Sequence, residues 1–228
     1  MELGLKGKKV AILATDGVEE VELVEPRKAL DAAGAETHLI SPNAGEIQAV
    51  NHDEKGQRLR VDRTLDQAHP SEYAALVLPG GVANPDRLRT NAKAVQFVRE
   101  FLVAEKPVAA ICRGPWLLVE ADGVAGRTIT SWPSLRTDIK NAGGTWVDEP
   151  VHVDDNLVTS RKPADIPYFN KRIVQVFGNR LDEARVDELE EQSFPASDPA
   201  PGPTSIGGEG GSRTTIDRRG DETPGPRG

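Results

Sequence analysis

The chain is short of the residues that most often announce chemistry. Among its 228 residues there is one cysteine, Cys112, so an intrachain disulfide is excluded, and a lone thiol fits a reducing, cytoplasmic setting. The four histidines, His38, His52, His69 and His152, are scattered, and with a single cysteine they make no metal-ligand spacing; neither a metal site nor a cofactor is expected. Aromatic residues are only 4% of the chain, and Trp116, Trp132 and Trp146 read as core or interface fillers, with Trp132 also a candidate to line a pocket. Long apolar runs are missing too. The N-terminal run Val10–Ala14 is too short for a signal peptide or a membrane span. Positive charge is scarce: the net charge is −8, residues 1–179 carry −3, and no basic patch suggests nucleic acid. No repeat of fixed period is present.

What is there falls into a body and a tail. From Ser193 onward, 14 of 36 residues are Gly or Pro and Phe194 is the only aromatic. Such a segment buries too little apolar surface to offset its ordering entropy, so 193–228 is expected to be a disordered tail. Its "GGEGG" lacks the Lys-Ser/Thr ending of a phosphate loop and reads as linker. The expected organisation is an α/β domain over 1–180, an acidic helical extension over 181–192, then the tail.

Within the body, "KKVAILATDG", "ETHLIS", "YAALVLPGG" and "PVAAIC" read as buried strands, each a short apolar run closed by turn residues. "VEEVELVEPRKALDAAGA", with acids in its first turns, and "NAKAVQFVREFLVAEK", apolar at 94, 95, 98, 101 and 102, read as helices. Residues 43–66 read as a polar hairpin or excursion. Beyond residue 123 come shorter strands ("RTITSW", "TWVDE", "VHVDDNLVTSR"), a helix "PSLRTDIKNAGG" and a last helix "PADIPYFNKRIVQVFG". His38 is then a strand residue, His52 and His69 loop residues, and His152 an edge-strand residue. The alternation predicts a flavodoxin-like three-layer α/β sandwich with a mostly parallel central sheet. In such sheets sites lie at the carboxyl ends of strands, and three of these ends carry Asp16–Glu22, Gly80-Gly81 and Cys112.

Cys112 sits between a strand and the helix "GPWLLVEA", the setting of a nucleophile elbow, and Gly114 lets the backbone approach closely and is expected, with Glu19 and Trp132, to line the pocket. A helix N-terminus and the Arg113 cation both favour thiolate and would bring the thiol below its ordinary value. The backbone N–H groups of Arg113 and Gly81 could form an oxyanion hole. Against this stands the habit of lone cysteines at the ends of core strands to be packing residues.

The segments "VAAICRGPWLLVEAD", "ALVLPGG", "DGVEEVEL" and "KNAGGTWVDEPVHVDDNLVTSRKPADIPYFN" together resemble the PfpI family of peptidase-like proteins and protein deglycases, within the class I glutamine amidotransferase-like superfamily, from about Lys8 to Gly178. The resemblance implies that Cys112 is the elbow cysteine and that Glu22 hydrogen-bonds its sulfur, with Glu19 the neighbouring acid. It implies that Gly80 and Gly81 form the loop supplying an oxyanion donor. It also implies that Asp86 reaches a neighbouring subunit's cysteine site in a homodimer or homohexamer. The chain departs from the pattern at Arg113, where the family commonly has histidine; arginine does not deprotonate usefully. The position of a later histidine of deglycase-type relatives is matched by Trp132. Arg113 is left to supply charge, bind an anionic group or pair with Asp86, and Glu22 is the evident proton carrier. The expected function is a stress-related cysteine hydrolase or deglycase acting on glycated or dicarbonyl adducts or peptides. The alternative is a non-catalytic redox-sensing or chaperone-like protein.

Overall fold

Residues buried on both faces of a sheet must be apolar nearly without interruption. The central strands here meet that demand. The computed structural model describes residues 4–193; the expected tail, 194 onward, lies outside the described residues. In chain order the elements are β1 (Lys9–Leu13), α1 (Glu20–Ala32), β2 (Glu36–Ser41), β3 (Glu46–Asn51), β4 (Glu54–Arg60), β5 (Arg63–Thr64), β6 (Ala75–Leu78), α2 (Ala83–Arg89), α3 (Ala92–Val103), β7 (Val108–Ile111), α4 (Pro115–Glu120), β8 (Thr128–Ile129), α5 (Arg136–Asn141), β9 (Thr145–Trp146), β10 (Val151–Asp154), β11 (Leu157–Ser160) and α6 (Ile166–Ser193). Among these, β6, β7 and β11 are buried at every position.

The main sheet has the order β10-β11-β7-β6-β1-β2-β5, parallel throughout except for β10, which pairs antiparallel with β11. Alternate residues of each strand face opposite layers. Val10, Ile12, Ala75, Val77, Ala109 and Ile111 pack with Leu23 and Leu30 of α1 and Phe169, Ile173 and Phe177 of α6. Ala11, Leu13, Leu76, Leu78, Val108 and Ala110 pack with Phe97 and Phe101 of α3, Leu117 of α4 and Ile139 of α5. The result is a three-layer α/β sandwich. The chain leaves β1 toward β2 on one side and later returns to β6 on the other, so the carboxyl ends of β1 and β6 mark the topological switch point.

The excursion over 43–66 contains a two-stranded antiparallel sheet, β3–β4. It docks on the loop after β1: Gly17 N–H donates to Gln48 O (2.8 Å), Val50 N–H to Val18 O (2.8 Å) and Gln48 N–H to Asp16 Oδ1 (2.7 Å). Past residue 123 the expected strands are shorter than their sequence suggests. β8 and β9 have two residues each and form a separate parallel pair. The reason lies in where the next donors go: Thr130 N–H bonds the Thr159 hydroxyl and Trp132 N–H bonds Cys112 O, so the segment leaves the ladder for the site. Among the described residues, no helix is long and apolar enough to cross a membrane.

Candidate active site

The turn after β7 is held from several sides. Cys112 N–H donates to Ser160 O at the end of β11 (3.0 Å), and Gly114 N–H closes back on Ile111 O (2.8 Å). Cys112 itself has φ +59°, a left-handed conformation that costs a non-glycine residue energy and recurs at functional sites. Gly114 has an ordinary helical φ of −51°, and its role is close approach. A Cβ there would run into the Leu78 carbonyl oxygen and stand 2.9 Å from Ile111 O. Gly114 thus lies behind the elbow, between the ends of β6 and β7, and corrects its expected place in the pocket wall.

Facing the elbow is the Pro79-Gly80-Gly81 loop. Asn84, fully buried in α2, secures it: its Nδ2 donates to Pro79 O and Gly80 O (both 3.0 Å), and its Oδ1 accepts Thr15 N–H (2.7 Å). Sequence reasoning passed over Asn84; its only signal is an amide two residues after "GGV". Gly80 N–H donates to Glu22 Oε2 (2.9 Å), so this donor is committed to the carboxyl and does not serve an oxyanion, a correction to the expectation for Gly80 alone. Gly81 N–H instead points at the Cys112 sulfur. Gly81 has φ +88°, and a Cβ on it would collide with Gly17 O. The two strand ends therefore meet at a distance only glycine permits.

Glu22, on the first turn of α1, is fully buried. Its Oε1 makes no well-formed hydrogen bond, and the carboxyl faces the Cys112 thiol. Burial, reinforced by Glu19, lifts the carboxyl from 4.5 to about 8, against opposing contributions from Cys112, Gly80 N–H and Arg113. The thiol is also pushed up, by burial first and by the Glu22 carboxylate second, with Arg113 and Gly81 N–H opposing. This corrects the expectation of a thiol lowered by helix and arginine: at 4% exposure, desolvation outweighs both. Ionising both groups would place two anions side by side in a buried site, so each disfavours the charge of the other.

Arg113 places Nη1 3.8 Å from Sγ and its guanidinium over the Trp132 ring (Cζ to centroid 4.9 Å). The expected pairing with Asp86 is not made within the chain: Asp86 is exposed on α2 and does not line the cavity, while Arg113 stacks on Trp132. The cavity, about 450 Å³, brings together Cys112, Arg113, Glu22, Glu19, Gly81 and Trp132. It also takes in His52 and Asp53, which sequence reasoning left in a remote loop. His52 arrives because the β3–β4 hairpin folds over the site. The usable signal was the apolar alternation of Ile47 and Ala49, both buried, which demands that the hairpin pack onto something. Glu19, the residue before α1, accepts His52 N–H and lies against its ring. His38, His69 and His152 are elsewhere: His38 bonds Tyr73 and Glu36, His69 caps a short helical turn, and His152 pairs with Glu149 on the edge strand β10. Among the described residues, no group of three or more His, Cys, Asp or Glu is arranged to hold a metal ion.

Comparison with known proteins places this geometry in context. Residues 8–176 match the model of the DJ-1/PfpI family. The chain is 41% identical over 172 residues to protein/nucleic acid deglycase 2 of Escherichia coli, covering 75% of this chain and 98% of that protein. It is 42% identical over 168 residues to a deglycase of Pyrococcus horikoshii, covering 74% and 98%. The crystal structure of Drosophila melanogaster DJ-1beta superposes with a TM-score of 0.69 at 24% identity, over 80% of this chain and 98% of that one, and shares the fold. The match over residues 8–176 and these relatives show that the chain belongs to the DJ-1/PfpI family.

Proposed function

We propose that the protein is a cysteine-dependent hydrolase of the deglycase type, in which Cys112 attacks the carbonyl carbon of a glycated or dicarbonyl adduct, or of a peptide. The observation that carries this reading is the elbow itself. A cysteine at φ +59° turns its sulfur toward a carboxyl and a backbone N–H at the floor of a cavity of about 450 Å³. The sulfur–carbon bond forms as the thiol proton moves to the carbonyl oxygen through Glu22, whose carboxyl near 8 holds a proton at neutral pH. The Gly81 and Arg113 N–H groups are the donors for that oxygen. With a dicarbonyl, transfer of the hydrogen on the sulfur-bearing carbon to the neighbouring carbonyl carbon, with the adduct's hydroxyl proton passing to that carbonyl's oxygen, converts the adduct to an S-acyl group, which water releases as a hydroxy acid. The relatives named as deglycases support this reaction class. The test is methylglyoxal turnover by the wild type beside Cys112→Ser; equal rates would remove Cys112 from the reaction.

The same reading puts the protein in the cytoplasm, where its single thiol stays reduced, and assembles it as a homodimer or homohexamer with Asp86, exposed on helix α2, at the interface. Light scattering at micromolar concentration tests this, and a monomer counts against it. Arg113 favours a second reading, because the residue after the cysteine takes no proton. In that reading the protein is a redox sensor or chaperone-like protein without turnover. Two equivalents of hydrogen peroxide oxidise the Cys112 thiol to sulfinate, releasing two waters, and Glu22 holds the product. A gain of two oxygens in wild type but not in Glu22→Ala, with no methylglyoxal turnover, would decide for it.

A further inference from the structure

Hydrolysis of an S-acyl group needs a base for the attacking water, and Arg113 cannot be that base. The other titratable groups lining the cavity are Glu19, Glu22, His52 and Asp53. Glu22 is fully buried and engaged by Gly80 N–H and the thiol. His52 is the imidazole on the opposite wall. Its side chain is 83% exposed at the rim, where water enters, whereas the Glu19 side chain beside it is only 11% exposed. Glu19 grips the residue twice: its carboxylate accepts His52 N–H at 3.1 and 3.3 Å, and its Oε1 lies 3.4 Å from His52 Nδ1. A carboxylate this close to Nδ1 favours the tautomer with the ring proton on that nitrogen and the Nε2 lone pair open, which is how an acid orients a histidine base. Asp53, from the same turn, lines the cavity as well, as does Arg113.

We propose that His52, oriented by Glu19, is the general base of this pocket and takes the proton of the water that hydrolyses the Cys112 S-acyl adduct. The inference rests on the reading above. The water oxygen bonds the acyl carbon as one water proton passes to His52 Nε2. The carbon–sulfur bond then breaks, sulfur leaves as thiolate, and the proton on His52 returns to it through solvent or Glu22. One water is consumed, one carboxylic acid is released, and no oxidant or reductant enters. Glu19 is a positioning residue. It does not touch the acyl group; it fixes the ring and the hairpin turn.

The experiment uses the full chain and methylglyoxal. His52→Asn keeps a residue that tolerates a left-handed backbone but removes the base. It is expected to lower kcat/KM by about 10²-fold while iodoacetamide alkylates Cys112 at the wild-type rate. His52→Gly with added imidazole is expected to regain turnover, since a free base fits the vacated space. Glu19→Gln, which retains an oxygen for His52 N–H, is expected to lower kcat about tenfold with KM unchanged. Wild-type turnover in His52→Asn overturns the inference, and so does a loss that imidazole fails to restore in His52→Gly. A wild type without Cys112-dependent turnover overturns both this inference and the reading beneath it, and that result is visible before any His52 variant is compared.

Discussion

Cys112 and His52 face one cavity and share the same backbone angle, φ +59°, yet they are held there by opposite means. Cys112 is 4% exposed at the end of a fully buried strand, with its N–H on Ser160 O and its carbonyl accepting Trp132 N–H. The packed sheet imposes the strained conformation and leaves no alternative. His52 has a side chain that is 83% exposed, in a hairpin turn where a left-handed residue is ordinary geometry, and one carboxylate anchors it. The buried wall therefore sets position, and the exposed wall sets access to water and protons. A site assembled this way keeps its nucleophile rigid while the residue opposite stays free to change.

The largest expected effect breaks the comparison on the buried side. Cys112→Ser should reduce turnover by about 10³-fold or more, because a serine hydroxyl at this position lacks both the nucleophilicity of sulfur and a base beside it. Thermal unfolding should stay cooperative, so a variant that fails to fold would assign Cys112 to packing instead. Next is Gly114→Ala. The added Cβ meets backbone atoms, Leu78 O and Ile111 O, that no rotamer change can move. Overpacking of this kind costs about 1–3 kcal/mol, or some 3–10 °C in Tm for a domain of this size. An unchanged Tm would show that the elbow has slack.

Arg113→Ala sharpens the electrostatic side. It removes the cation that opposes burial at the thiol, so alkylation of Cys112 by iodoacetamide at neutral pH should slow by about 3–10-fold. Arg113→His asks a different question of the same position. If a base adjacent to the sulfur is what the chain lacks, turnover should rise above wild type; if His52 already serves, the gain should be small. Glu22→Gln tests the buried carboxyl by its pH dependence. Folding raises this carboxyl from 4.5 to about 8, so between those values the native state holds a proton that the unfolded chain does not. Its cost to stability is absent below 4.5, grows as pH rises and levels above about 8. The Tm gap between Glu22→Gln and wild type should therefore be near zero at low pH, open as pH rises through neutrality, and reach roughly 10 °C or more above pH 8. A gap independent of pH would mean the carboxyl titrates normally.

The buried wall was legible in the sequence because its causes are local or periodic. Apolar runs such as "ALVL" and "VAAI" admit few readings beyond central strands, and "CRGP" between strand and helix announces an elbow. The balance of forces at the thiol was not legible. A helix start and an arginine argue for thiolate, but the depth of burial, which reverses the sign, exists only once three layers close over the site. The hairpin wall was legible as an excursion but not as part of the site. "NHDEKG" is polar, short and carries no chemical motif, and His52 reaches the cavity through tertiary hydrogen bonds such as those from Gly17 to Gln48, from Val50 to Val18 and from Gln48 to Asp16. The alternation of Ile47 and Ala49 says that the hairpin packs on something, but its partner, about 30 residues earlier in the chain, is not named in either segment alone.

The smallest expected effect is the one that most directly tests whether the two walls differ. If His52 is held by its turn and one carboxylate rather than by packing, then His52→Asn removes almost no buried area and keeps a residue at ease with φ +59°. Its backbone N–H to Glu19 survives the change. Stability should then stay within about 0.5 kcal/mol of wild type, as for other surface positions. A conservative change at the buried end of the comparison, Cys112→Ala, forces a side chain without polar atoms into the same backbone angle but leaves the Ser160 and Trp132 hydrogen bonds intact. It exchanges a sulfur for a small void above Glu22, so its Tm should move more than that of His52→Asn. Should His52→Asn prove the more destabilising of the two, the hairpin would be a structural brace of the elbow, and its histidine would be accounted for without chemistry.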